Sequence, residues 1–334
     1  MKPLISQYHQ KGFSLVELMV AMTIGLLITL AVIALFITTG RNYSQNDNTA
    51  KMQENARFAL ELISQDLRHA GFLGNVADIS SVNVDAVPVT TPAVDCGPTT
   101  ASGRAGLYNF SLAKLVLSYG YQISNASMYG SCITGPAPKS LGNILLIKRT
   151  AGDPSTTQVG GTLYIYANGS NANLLTQPNA PVISNGAYWE YQPRLYYIDQ
   201  NDVLYREILD YSGATPTMRA ESLAEGIEAF HVEFGIDTDY NGTPDYYYVP
   251  AANADPFTIP GDTALNDAVS ATLYILARTT TPDPDPTYLD QKRYTLGSMP
   301  TLGPFPDQFH RHVYSITVAL KNLRPQVKNR GSIN

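Results

Sequence analysis

Lys11-Gly-Phe-Ser-Leu-Val-Glu-Leu-Met-Val-Ala-Met22 opens the stretch that decides how this chain is built. A short polar leader carrying Lys2 and Lys11 ends at Gly12, and from Leu18 to Ile37 there are 20 residues without a charge. At 1.5 Å per residue that run makes roughly 30 Å of helix, the thickness of a bilayer's hydrocarbon core. Glu17 stands just inside its start. A carboxylate at the edge of a membrane span is costly to keep, which points to a partner and a function. The plainer alternative is a side chain that reaches back into the headgroups.

A secretory signal has an apolar region of about 7–15 residues ending in a small-residue cleavage site. Here the run is longer, and Ala31-Val-Ile-Ala34 lies inside it. The span therefore reads as an anchor. Lys2, Lys11 and the amino terminus, set against Arg41, place the leader in the cytoplasm and the body beyond the membrane.

The apolar pattern continues past the span. Gly40 to Asn48 is polar and reads as a loosening of the helix. Met52, Ala56, Ala59, Ile63, Leu67 and Ala70 then recur at steps of three and four, one face of an amphipathic helix. Arg57 and Glu61 are spaced as an i,i+4 pair, and Gly71 fits the position after a helix C-cap. The spacing predicts a nearly continuous helix from Phe13 to about Ala70, with its first half in lipid and its second half against a globular head.

These residues carry a resemblance. Gly-Phe-Ser-Leu-Val-Glu-Leu resembles the cleavage and methylation motif of type IV prepilins and type II secretion pseudopilins. The blocks 52–61 and Asp66-Leu-Arg-His-Ala-Gly-Phe-Leu-Gly74, the segment 223–248, and Phe309 to Arg324 resemble PilW-type minor pilins and their J-type pseudopilin relatives. The resemblance is thin between about 75 and 185. It implies an α+β, type IV pilin-like fold, a long N-terminal helix packed on a β-rich head of mainly antiparallel strands. It further implies a leader, 1–12, removed by a prepilin peptidase between Gly12 and Phe13, and N-methylation of Phe13. Glu17 would stand at the fifth mature position, where it pairs with the amine of a neighbouring subunit. The remaining parts would be a transmembrane and filament-core helix, 13–39, its amphipathic half, 40–71, and a periplasmic head, 72–334. Implied partners are other minor pilins, the major pilin, a tip adhesin and the inner-membrane assembly platform. The chain departs from major pilins at Ala34, where those commonly carry Pro.

Net charge is −6 and only 15% of residues are charged, which argues against direct nucleic-acid binding. Tyrosine-, threonine- and valine-rich composition suits strands. Strands are expected at 143–148, 161–166, 271–278 and 313–320, and a hairpin at 194–198 and 203–208 about Asp199–Asp202. Residues 221–226 read as a short turn or helix, and the alternation from Ile227 to Gly235 as a half-buried strand. Thr281-Pro-Asp-Pro-Asp-Pro286 reads as an exposed loop.

Two cysteines, Cys96 and Cys132, lie beyond the span. In an oxidising periplasm they form either one disulfide or two separate buried thiols. Asp237, Asp239, Asn241 and Asp245, with Gly242, match positions 1, 3, 5, 9 and 6 of a calcium-binding loop, whereas Tyr248 replaces the acid at position 12. The other reading of the same residues is an acidic hairpin turn. His310 and His312 flank Arg311 on one face of an expected strand, where two histidines alone do not make a metal site, and Tyr188–Tyr191 and Tyr246–Tyr248 offer two aromatic patches. Nothing matches a nucleophile elbow, a metalloprotease helix, a phosphate loop or a dinucleotide fingerprint, so no enzyme is expected. The rival readings are a J-type pseudopilin of type II secretion and a membrane-anchored periplasmic binding protein.

Overall fold

The computed structural model describes residues 12–76, 82–83, 116–119, 132–139, 142–176, 185–211, 217–249, 265 and 267–323. Ser14 starts α1 (Leu15–His69) as N-cap, with extended φ and ψ of −73° and 152°. The helix then runs unbroken for 55 residues, roughly 80 Å. The loosening expected across 40–48 does not occur, because Gly40 costs only about 1 kcal/mol in a helix and the residues around it still offer backbone bonds. The last turn ends at Ala70, and Gly71 takes φ 75°, the left-handed conformation that suits glycine after a C-cap. Glu61 turns to Gln65 and lies 3.9 Å from Arg68, in place of the expected Arg57 pair.

The strands are β1 (Val82–Asn83), β2 (Val116–Tyr119), β3 (Ile144–Ile147), β4 (Leu163–Ala167), β5 (Ala172–Thr176), β6 (Ala187–Glu190) and β7 (Arg194–Ile198). They continue as β8 (Val203–Asp210), β9 (Thr217–Glu225), β10 (Ile227–Ile236), β11 (Tyr246–Tyr248), β12 (Ala268–Arg278) and β13 (Arg311–Ala319). Three sheets result, ordered β1-β5-β4-β6, β2-β3-β7-β8-β9 and β11-β10-β12-β13. Neighbours are antiparallel except β1 with β5. This is the α+β architecture expected. The β7–β8 hairpin pairs Ile198 with Leu204, its turn held by Asp199 accepting from the Asn201 and Val203 amides.

Helix α1 lies on β12, β13 and β9. Met52, Ala56, Ala59, Ile63 and Leu67 enter one core with Phe230, Phe234, Leu273 and Ile275. Ile63 and Leu67 are fully buried, worth about 1.5–3 kcal/mol each. Asp66, on the same turn, receives the Tyr196 hydroxyl and pairs with Arg149 at 2.8 Å.

Two further expectations are corrected. Residues 221–226 form the end of strand β9 and the turn after it: β9 pairs along its length with β8, and Gly226, at φ 72°, turns the chain into β10. Strand β10 is buried on both faces. Its second face meets Leu296, Met299 and Leu302 from the long β12–β13 connection, which sequence periodicity could not place. Its polar residues are therefore internal and partnered. A bulge at Glu228 aims that carboxylate at Arg311, and Glu233 accepts from the Ser298 amide. His231 shares a hydrogen bond with Asn143 and lies 3.6 Å from Glu233.

Arg311 holds the connection to the sheet. It reaches Glu228 at 2.5 Å, Asp290 at 3.1 Å and Asp307 at 2.6 Å, and lies 4.0 Å over the Phe305 ring. Arg311→Met leaves Glu228 and Asp290 buried without their cation. A loss of about 3–5 kcal/mol is expected in denaturant unfolding of the full chain in detergent; a change within 1 kcal/mol, about the worth of a surface ion pair, would mean the acids are satisfied without it.

Burial pulls the His231 pKa down to about 4, against the smaller upward pull of Glu233; Asn143 and the Tyr274 ring are its other neighbours. Its folded pKa lies below the unfolded value near 6.5, so the unfolded chain binds the extra proton first. Stability is complete above pH 6.5 and falls as pH drops toward 4, by up to about 3 kcal/mol. His231→Gln should flatten that portion of the stability–pH curve relative to wild type.

Candidate functional site

The first site is the start of α1. Gly12 has no heavy atom within 4 Å of where a side chain would begin, and Phe13 is 90% exposed, so the peptide bond between them is open to an approaching protein. Ser14 and Glu17 form a capping box. The Ser14 amide donates to Glu17 Oε2 at 2.8 Å, and the Glu17 amide donates to Ser14 Oγ at 3.2 Å. The Ser14 hydroxyl donates to the same Oε2 at 3.0 Å. Glu17 is thereby folded back toward Phe13, on the side where a new amino terminus would lie. Sequence reasoning took Glu17 and passed over Ser14, although Ser-x-x-Glu before an apolar run is a legible N-terminus signal.

Beyond Glu17 the apolar side chains are uncovered. Leu18, Leu26, Leu30 and Phe36 remain 57%, 64%, 55% and 80% exposed, and the helix is long and apolar enough to cross a membrane. The hydroxyls of Thr23, Thr29 and Thr38 donate back to the carbonyls of Val20, Gly25 and Ala34. No polar group of these residues is left demanding water, which suits an apolar surround.

The second site is the β10–β11 hairpin loop. Asp237 is buried and its carboxylate accepts from the Tyr240, Asn241 and Gly242 amides at 2.7, 3.2 and 2.7 Å. Asp239 accepts from Asn241, and Asn241 Oδ1 accepts from the Thr243 amide at 2.8 Å. Asp245 accepts from the Thr238 hydroxyl and amide, which hold its pKa below the ordinary value. Oxygens of Asp237, Asp239 and Asp245 come within 4.8 Å of one another. Gly242, at φ 91°, makes the sharp turn. Tyr248 sits on β11 opposite Phe234 and supplies no acid.

Cys132 is buried and disulfide-bonded, while Cys96 lies outside the described residues, as does most of the loop-rich region expected between 76 and 138. The segment after Cys132 is fixed by a carboxylate that sequence reasoning missed. Glu207, fully buried in β8, accepts from the Thr134 amide and hydroxyl at 2.7 and 2.8 Å and from the Gly135 amide at 3.1 Å. Gly135 packs where a side chain would strike the Tyr197 hydroxyl and Ala220.

The remaining features fall out differently. His310 meets Asp283 at 2.5 Å, Gln45 of α1 at 3.2 Å and the Tyr288 ring, whereas His312 packs edge-on against Tyr314. The two histidines do not share a site. Tyr188 stacks on Tyr166 and Tyr191 is buried, so the first aromatic patch is core; Tyr246 and Tyr247 are exposed.

A long helix with an uncovered apolar half and a β-rich head of antiparallel sheets on its other half make this an α+β protein of the pilin-like class. Residues 8–33 match the family model of the prokaryotic N-terminal methylation motif, and residues 195–322 match that of type IV pilus-assembly protein W. These two matches support a type IV pilus minor pilin of the PilW family. No curated protein and no solved structure matches it. The methylation motif implies processing by a prepilin peptidase and partners in pilus assembly, and both matched families are structural pilus components rather than enzymes.

The capping box gives a direct expectation. Ser14→Ala should cost about 1 kcal/mol of helix-start stability and fray the first turn. Amide hydrogen exchange at Leu15 to Leu18 in detergent should rise; unchanged protection would mean the turn is held from elsewhere.

Proposed function

We propose that the chain enters the inner membrane as a prepilin, amino terminus in the cytoplasm and head in the periplasm. It is cut between Gly12 and Phe13 and methylated on Phe13. It then joins other minor pilins in a complex that primes the pilus, beneath a tip adhesin and on the inner-membrane assembly platform, with the major pilin following. Adhesion, twitching motility or DNA uptake belongs to the finished filament. The acidic head makes the chain a poor nucleic-acid receptor by itself.

The observation that supports this reading best is the division of α1. One rigid helix has an uncovered apolar half and a half sealed by sheet, so its apolar half can pass from lipid to a bundle of like helices without unfolding the head. The match to pilus-assembly protein W favours the pilus over a J-type pseudopilin of type II secretion, and an anchored binding protein would have no use for the Gly12–Phe13 junction. Glu17 acts as the register mark: leaving Ser14 for a neighbour's amine exchanges hydrogen bonds from neutral donors for an ion pair with an ammonium.

Mass spectrometry of the mature chain should find an N-methylated Phe13 as its first residue. Glu17→Ala should be processed normally and yet fail to support piliation. An intact leader, or normal pili in that variant, would overturn the reading.

For the hairpin loop we propose that Asp237, Asp239, Asn241 and Asp245 hold calcium. The convergence of three carboxylates and the turn at Gly242 fit a hard cation, while the lack of an acid at Tyr248 sets the affinity in the weak range of about 10⁻⁴–10⁻³ M. Calcium should raise the melting temperature of the full chain in detergent, and Asp239→Asn with Asp245→Asn should abolish the rise while preserving the loop's hydrogen-bond acceptors. The absence of any rise at millimolar calcium disposes of the site. We assign Cys96 as the partner of Cys132, to be read from peptide mapping without reduction.

A further inference from the structure

The face of the β2-β3-β7-β8-β9 sheet that meets the last turns of α1 carries more arginine than its acids balance. Pairing sets Arg194 against Ile208, Tyr196 against Arg206, and Arg206 against Glu221, so Arg194, Tyr196, Arg206 and Glu221 share one side. Arg149, just after β3, reaches the same place and takes Asp66 at 2.8 Å. The Tyr196 hydroxyl joins Asp66 and also touches Arg206. Arg206 takes Glu221 at 2.8 Å, and Arg219 shares Glu221 and adds Asp210 at 2.9 Å.

Each of those arginines has an acid. Arg194 has none within ion-pair distance among the described residues. Its guanidinium makes one long bond, 3.4 Å, to Gln192 Oε1, and its Nε is buried with no acceptor, as is the Nε of Arg149. Burial first, then the Arg206 and Arg149 guanidiniums, pull its pKa down against the opposing pull of Asp66. A cation held mostly out of water, with Asp66 already paired to Arg149 and no acid of its own at ion-pair distance among the described residues, is a cost that packing alone does not explain. The site is still reachable, since the Arg149 and Arg206 side chains keep 15% and 19% of their exposure.

We propose that Arg194, flanked by Arg149 and Arg206, is a receiving site for a carboxylate brought by an adjoining subunit. The guanidinium is a planar fork of donors that matches a carboxylate in two parallel bonds, and its neighbours in this cluster already hold Asp66 and Glu221. A lipid headgroup is out of reach. Asp66 lies 29 residues beyond Ile37, roughly 43 Å along the helix from the end of the apolar run. The assignment of the carboxylate to a subunit rests on the pilin reading; the binding chemistry does not.

The test uses the full chain in detergent. Acetate, compared with chloride at matched ionic strength, should raise the wild-type melting temperature by about 2–4 °C, and Arg194→Gln should remove that rise. In chloride, Arg194→Gln should melt at or above wild type, because it relieves an unbalanced charge. If Arg194→Gln instead melts several degrees lower and acetate acts no differently from chloride, Arg194 is a structural residue and the proposal fails. Incorporation into sheared pili separates the sources. A drop for Arg194→Gln, with processing and membrane level unchanged, identifies a subunit carboxylate. Unchanged incorporation alongside an intact acetate response overturns the subunit assignment and leaves a small free carboxylate. The acetate response is read on isolated protein and is independent of whether Glu17→Ala abolishes pili.

Discussion

A single unbroken helix whose two halves need different surroundings is the constraint on which everything else depends. Residues 18–37 carry no charge and stay uncovered, so only lipid or a bundle of similar helices satisfies them. From Met52 to Leu67 the same helix gives its apolar stripe to β12 and β13. Because hydrogen bonding continues through Gly40 to Asn48, the head is rigidly attached to the span. The contact of Gln45 with His310 lies where the helix leaves the head, eight residues past the apolar run.

The head is held by charges that have been taken inside. Arg311 draws three acids from separate segments onto one guanidinium, Asp66 ties the helix to β7 through Tyr196, and Glu207 gathers the Cys132 segment with no cation paired to it among the described residues. In a low-dielectric interior each of these groups is expensive unless satisfied, so the connections that satisfy them have little freedom to move. Arg194 breaks this pattern, and a filament subunit has a reason to keep such a residue: an unbalanced charge on a surface that a neighbour will cover costs stability in the lone subunit and is relieved on assembly.

The helix was readable because its evidence is local. Apolar spacing at Met52, Ala56, Ile63 and Leu67, Gly71 after the last turn, and the Gly12–Phe13–Glu17 offset each depend on residues a few positions apart. The β7–β8 hairpin was readable for the same reason. Strand β10 was misread as half-solvated because its pattern, with Glu228, His231 and Glu233 alternating with apolar residues, looks identical whether polar residues face water or buried partners. The partners come from Arg311, Asn143 and Ser298, each more than sixty residues away.

Sequence by itself determined the class of this protein, its anchor, the start of its helix and the residues of its acidic loop, since each is written in short-range spacing and composition. Only the tertiary structure decided which polar residues are internal, that the helix does not break at Gly40, that β10 is covered on both faces, and that Arg194 has no acid at ion-pair distance among the described residues. Those outcomes rest on which distant strands pair and which loop folds over them. Burial and charge balance are properties of assembled neighbours, and a linear pattern does not contain them.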